Sequence, residues 1–144
     1  VLSVKYNNYN KANWKIIEPN PSPVKDCTAE YIKGFMTEDT NITPEDSTIV
    51  HSHVIEHIYE PNSFIKMIQE KVLIGTKMFF SVPNMERMLT KYYSNCINFE
   101  HTVLLTEPYV DYLLSKHGFK EVDKQYFQDD HSIFYSFNLV RQPS

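Results

Sequence analysis

Residues 47–61 read Ser-Thr-Ile-Val-His-Ser-His-Val-Ile-Glu-His-Ile-Tyr-Glu-Pro, and the rest of the chain is most easily read outward from them. The β-branched start of this stretch, bounded by turn chemistry, predicts a buried strand over 47–52. Pro61 then opens a helix: Asn62 or Ser63 can cap it, and Phe64, Ile65, Ile68, Val72 and Leu73 fall at helical spacing. Gly75 suits the position past its end. Residues 78–82 (Met-Phe-Phe-Ser-Val) are apolar on both faces, which predicts an inner strand of a sheet covered on both sides, and Pro83 ends it. Residues 85–93 read as helix and 94–105 as a connection. Thr106 caps the next helix, with Pro108 in its first turn, Val110, Leu113, Leu114 and His117 on one face, and Gly118 as its stop. Residues 119–127 and 132–140 alternate apolar and polar around Asp129-Asp130, the pattern of an antiparallel hairpin.

Toward the amino terminus, residues 14–18 form a short strand closed by Pro19, Pro21 and Pro23. Residues 24–31 suggest a short helix, and Tyr31-Ile32-Lys33 a brief strand ending at Gly34-Phe35. The acidic stretch 37–46 reads as loop, and residues 1–13 as an irregular terminus or the remnant of a strand. Strands and helices in alternation, closed by a hairpin, predict an α/β fold in one domain over residues 1–144.

Composition narrows the function classes. Ten Tyr, nine Phe and one Trp, in a chain that is 42% hydrophobic, supply enough apolar surface for a packed core. A net charge of -4, with no Lys or Arg run longer than two, argues against nucleic acid as a partner. No apolar stretch approaches the roughly 20 residues of a spanning helix, and residues 1–13 lack the order of a signal peptide, so no membrane association is expected. Cys27 and Cys96 are far apart and read as free thiols, which makes the cytoplasm the expected compartment. Only three glycines occur, each more than forty residues from the next, so no glycine-rich phosphate loop lies within these residues.

In an open α/β sheet the ligand crevice lies beyond the carboxyl ends of the strands. Those ends carry Glu18, residues 34–36, residues 51–57, Pro83 and Asn84. Glu18 can accept hydrogen bonds from a ribose diol. Residues 51–57 hold three His and one Glu, a set that invites a zinc hydrolase reading through His51, His53 and His57. That run resembles the His-x-His-x-Asp-His segment of metallo-β-lactamase-like hydrolases. It carries one residue too many before the acid, and its distant ligand would have to be His101, His117 or His131.

Taken together, residues 47–61, 75–84 (GTKMFFSVPN) and 99–122 (FEHTVLLTEPYVDYLLSKHGFKEV) resemble the second half of a class I S-adenosylmethionine-dependent methyltransferase. Families of that class show an "hvLEHv.dP" turn, a "vPN" strand, an "EH" segment before a helix ending in "GF", and a closing hairpin. The resemblance implies a Rossmann-like, mostly parallel sheet and S-adenosylmethionine as cofactor. It implies Glu18 at the cofactor ribose, Phe35 and Met36 at adenine, and His51, Ser52 and His53 beside the methionine part. Glu56 and His57 would hold the turn, with Glu100 and Asn84 on the substrate side. His101 would be the first candidate for the catalytic base and His53 the second. No metal is implied. The acceptor would be a small molecule, possibly a sugar or glycan precursor.

The glycine-rich loop of that class should precede Glu18 by about twenty residues, and here residues 1–8 (VLSVKYNN) contain no glycine. The chain therefore reads as N-terminally truncated or degenerate, with residues 2–6 as a candidate replacement for the first strand. The alternative function is a catalytically inactive methyltransferase-like module that binds a protein partner or a second copy of itself.

Overall fold

A computed structural model describes residues 2–37, 39–40, 42–90, 105–128 and 131–143. Its contacts cluster into two units, Val1–Thr40 and Asn41–Ser144.

The first unit holds a short helix α1 (Leu2–Asn7) and two parallel strands, β1 (Lys15–Glu18) and β2 (Glu30–Lys33). Residues 2–6 are thus helical, which corrects the expectation of a strand or an irregular segment. The helix is tied down locally. Asn7 Oδ1 accepts from the Ala12 amide at 3.1 Å and from the Trp14 indole at 3.3 Å, while Tyr6 meets Trp14 edge-on. The short helix expected over 24–31 is absent: Asp26 takes a left-handed φ of 68°, and the Cys27 amide closes a turn on the Val24 carbonyl. One left-handed residue is enough to stop a helix from propagating.

The second unit is built on a four-stranded sheet in the order β3-β4-β6-β5, with β3 (Thr48–Ser52), β4 (Lys77–Pro83), β5 (Phe119–Phe127) and β6 (Ser132–Leu139). β3 and β4 are parallel, and β6 runs antiparallel to both β4 and β5. Helices α2 (Pro61–Lys71) and α4 (Glu107–Lys116) pack against each other, and α4 packs on β5. A short α3 (Met85–Thr90) follows β4. The α/β class is as the sequence predicts. Among the described residues the strands form two sheets, not one.

Period-two alternation sets the core. Met78, Phe80 and Val82 of β4 and Ile133, Tyr135, Phe137 and Leu139 of β6 are buried, together with Phe64, Ile65 and Ile68 of α2 and Val110, Leu113 and Leu114 of α4. The opposite face keeps Val50, Phe79 and Phe134 partly exposed. The expectation that 47–52 is a buried strand and 78–82 is covered on both sides is corrected accordingly.

Across the buried face runs a row of cross-strand neighbours, one from each strand: His51, Phe80, Tyr135 and Lys124. His51 stacks on Phe80 at 4.8 Å, Phe80 on Tyr135 at 5.0 Å, and the Lys124 ammonium sits over the Tyr135 ring at 5.3 Å. Such pairs are the stabilising unit of a sheet. Lys124 also bonds Glu107 at 2.8 Å and Asp111 at 3.0 Å, which fastens α4 to the hairpin. Burial works to lower the pKa of this ammonium, but its carboxylate partners outweigh burial and hold it above the ordinary lysine value.

Helix ends follow local chemistry. Thr106 caps α4 by accepting from the Tyr109 amide at 3.4 Å. At α2, Pro61 occupies the first turn and Glu60 the cap position, without a side-chain cap bond. Asn62, expected as a cap, bonds His117 Nε2 at 2.8 Å instead. Gly118 has φ +79°, and a Cβ there would lie 2.5 Å from the Arg141 carbonyl oxygen. Gly118→Ala is expected to lower stability by about 2 kcal/mol through left-handed strain and that overlap. A urea midpoint unchanged from the parent would contradict this.

Candidate functional site

Two groups of strand ends carry the predicted site residues, one in each unit. In the first unit Glu18 ends β1. Its carbonyl accepts the Gly34 amide at 3.1 Å, and its carboxylate Oε1 accepts the Asn20 amide at 3.1 Å. Gly34 has φ +141° with open space around it. Phe35 follows, 78% exposed, and Met36 is half-buried.

In the second unit β3 and β4 end side by side. Ser52 and Ser81, paired in register, share a hydroxyl hydrogen bond of 2.6 Å. The next residue, His53, donates its amide to the Ser81 carbonyl at 2.9 Å and takes φ 52°, a left-handed backbone uncommon outside glycine. That turn aims the His53 ring away from the strand's alternation. A 3-10 turn, Ile55–His57, then buries Glu56 completely. Glu56 Oε1 lies 3.6 Å from His53 Nδ1 and 3.8 Å from His57 Nε2, and both imidazoles are about 40% exposed.

The hairpin completes the cluster. Pro83 of β4 is in register with Ser132 of β6, and the Asn84 amide donates to the His131 carbonyl at 2.9 Å. This brings Ser132 Oγ to 3.5 Å from His53 Nε2 and 3.1 Å from His131 Nδ1. Asn84 itself caps α3, accepting the Arg87 amide at 3.2 Å.

The structure therefore brings together Ser52, His53, Glu56, His57 and Asn84. His51 belongs to the same strand, but its ring packs between Phe64 and Phe80 and both ring nitrogens are buried. Burial alone pushes its pKa down to about 4. Glu100 and His101 lie outside the described residues. For the zinc reading, no group of three or more His, Cys, Asp or Glu among the described residues could hold a metal ion. His51 is turned into the packed face while His53 and His57 flank Glu56. Ser132 and Ser81 were not legible as site residues, since only the strand register delivers them. A concavity of about 490 Å³ lined by Asp111, Ser115, Gly118 and Arg141 lies elsewhere, between α4 and the hairpin.

No protein-family model matches the chain, and no curated protein matches it in sequence. Solved structures do match. PH0226 from Pyrococcus horikoshii OT3 superposes with a TM-score of 0.71 at 13% identity, over 96% of this chain and 76% of that one. A SAM-dependent methyltransferase from Archaeoglobus fulgidus gives 0.65 at 12% identity, over 94% and 90%. A chain from the complex between the Haloferax volcanii Trm112 methyltransferase activator and a methyltransferase gives 0.66 at 8% identity, over 98% and 78%. At such identities the likeness is one of architecture, and the chain has the Rossmann-like fold of SAM-dependent methyltransferases. Among the described residues no helix is long and apolar enough to cross a membrane.

Proposed function

We propose that the chain carries out, or belongs to a protein that carries out, S-adenosylmethionine-dependent methyl transfer to a small molecule, with a sugar or glycan precursor as the first class to test. The observation that carries this reading is a methyltransferase fold whose parallel strands β3 and β4 end on a polar cluster containing an accessible imidazole. Fold alone does not fix chemistry, so the site has to supply the rest.

The residues present fit the cofactor in part. Glu18 is a strand-end carboxylate with its backbone fixed by Gly34, suited to a ribose diol, and the exposed Phe35 with half-buried Met36 offers an apolar surface for adenine. When bound, S-adenosylmethionine supplies an electrophilic methyl group on a sulfonium. What remains for the protein is to align an acceptor with that methyl and remove the acceptor's proton. His53 is the base for that step among the described residues, since its imidazole, about 40% exposed, stands at the strand ends. His101 remains a candidate beside it, with Glu100 and Asn84 on the acceptor side. The same reading places the chain in the cytoplasm.

The test is calorimetric titration of the chain with S-adenosylhomocysteine. Micromolar binding is expected, weakened by roughly tenfold to a hundredfold in Glu18→Ala, the loss of a charge-assisted hydrogen-bonding partner. No binding by a folded chain would overturn the reading and favour the second one, a methyltransferase-like module that binds another protein. That a solved neighbour comes from a complex between a methyltransferase and its activator supports a protein partner under either reading.

A further inference from the structure

Resting on the methyltransferase reading, we infer that Glu56 and Ser132 are positioning residues that hold His53 as its Nδ1–H tautomer, so that Nε2 is presented as the proton acceptor. The two side chains meet opposite ring nitrogens of His53: the Glu56 carboxylate faces Nδ1 at 3.6 Å, and the Ser132 hydroxyl faces Nε2 at 3.5 Å. They come from separate parts of the fold, the 3-10 turn after β3 and the first residue of β6.

The direction of the chain of contacts follows from what each group can do. An ionised carboxylate only accepts, so the ring nitrogen facing it carries the proton. Nε2 is then the lone-pair nitrogen, and the Ser132 hydroxyl donates to it. The Ser132 oxygen in turn can accept from His131 Nδ1 at 3.1 Å, which closes a consistent series from His131 through Ser132 and His53 to Glu56. The opposite direction would point a nitrogen lone pair at the carboxylate. Contacts of this length are common at catalytic sites before the reacting ligand is bound.

The arrangement is costly in ways that mere turn-holding does not require. Glu56 is wholly buried, and a buried carboxylate is expensive unless it is paired and hydrogen-bonded. His53 adopts φ 52°, a conformation glycine would take with less strain. Ser132 is 6% exposed and fixed by pairing with Pro83, so its hydroxyl is delivered by the sheet and not by a loop. When an acceptor hydroxyl enters, it replaces Ser132 at Nε2. Its proton would pass to Nε2 as its oxygen bonds the methyl carbon and the methyl–sulfur bond breaks, with neutral S-adenosylhomocysteine as the leaving group, and Glu56 would stabilise the imidazolium that results.

The deciding measurement is the imidazole 15N spectrum of the full chain, about two pH units above the ordinary histidine pKa of ~6.5, with His53 assigned by its loss in His53→Gln. A protonated Nδ1 and an unprotonated Nε2 are expected, the reverse of the form free histidine prefers. Glu56→Gln should shift His53 toward the Nε2–H form, and Ser132→Ala should keep the Nδ1–H form while moving the Nε2 resonance to that of a nitrogen without a donor. An Nε2–H tautomer in the parent, or a His53 spectrum indifferent to both substitutions, would overturn the assignment. Should Glu56→Gln fail to fold, the parent spectrum and Ser132→Ala still decide. The S-adenosylhomocysteine titration is independent: an Nδ1–H His53 in a chain that binds no cofactor analogue sinks the methyltransferase reading and leaves this geometry standing.

Discussion

Acidification from neutral pH to pH ~4 should cost the fold about 3 kcal/mol through one side chain, His51. Both its ring nitrogens are buried, and burial lowers its pKa from the usual 6.5 to about 4. The unfolded chain therefore binds a proton near pH 6.5 that the folded chain refuses until about pH 4. Between those limits the unfolded state carries more protons, so stability rises with pH. The contribution is fully present above about pH 6.5 and is lost as pH falls toward 4. His51→Phe keeps an aromatic ring against Phe80 and removes the titrating group. Urea midpoints recorded across that range should slope less in the variant than in the parent. Parallel profiles would show that His51 is solvated and that the stack on Phe80 does not persist in solution.

Phe80→Ala is expected to be the most damaging single core substitution, at about 3–5 kcal/mol. Phe80 is 2% exposed and lies at the centre of the row that crosses the sheet, stacked on His51 and Tyr135 and 5.8 Å from Phe137. Truncating it removes three ring contacts at once and leaves a cavity that rigid strands cannot collapse around. Against a typical domain stability of roughly 5–15 kcal/mol, much of the margin goes. Phe79→Ala, on the half-open face, should cost no more than about 1 kcal/mol. Comparable urea midpoints for the two variants would contradict the assignment of faces. The two predictions also couple, because removing Phe80 wets His51 and should flatten the acid slope.

What the sequence made legible was whatever depends on near neighbours in the chain. The cap at Thr106, the stop at Gly118 and the alternation of the terminal hairpin are local devices, and each appears where expected. Asn62 was misread as a cap because nothing local reveals that His117 waits 55 residues away to bond it. The helix expected over 24–31 is prevented by one left-handed residue, Asp26, whose type tolerates that conformation without advertising it. At the site, His53, Glu56 and His57 were visible as a cluster of chemistry-bearing types. The burial of Glu56 and the arrival of Ser132, 79 residues from His53, are products of strand register that no spacing along the chain contains.

The two margins of the four-stranded sheet differ in a way that bears on how the molecule behaves among other polypeptides. β5 carries Lys120, Glu121, Asp123 and Lys124, and charged side chains of this kind discourage further backbone pairing. β3 carries no charge at all from Thr48 to Ser52. Since the His53 amide bonds β4, the alternation of a strand turns the amides of Thr48, Val50 and Ser52 toward the side where, among the described residues, no strand of this sheet lies. β3 is therefore the margin of this sheet better suited to further pairing, and while it stays open those three amides should exchange with water faster than those of Ile49 and His51.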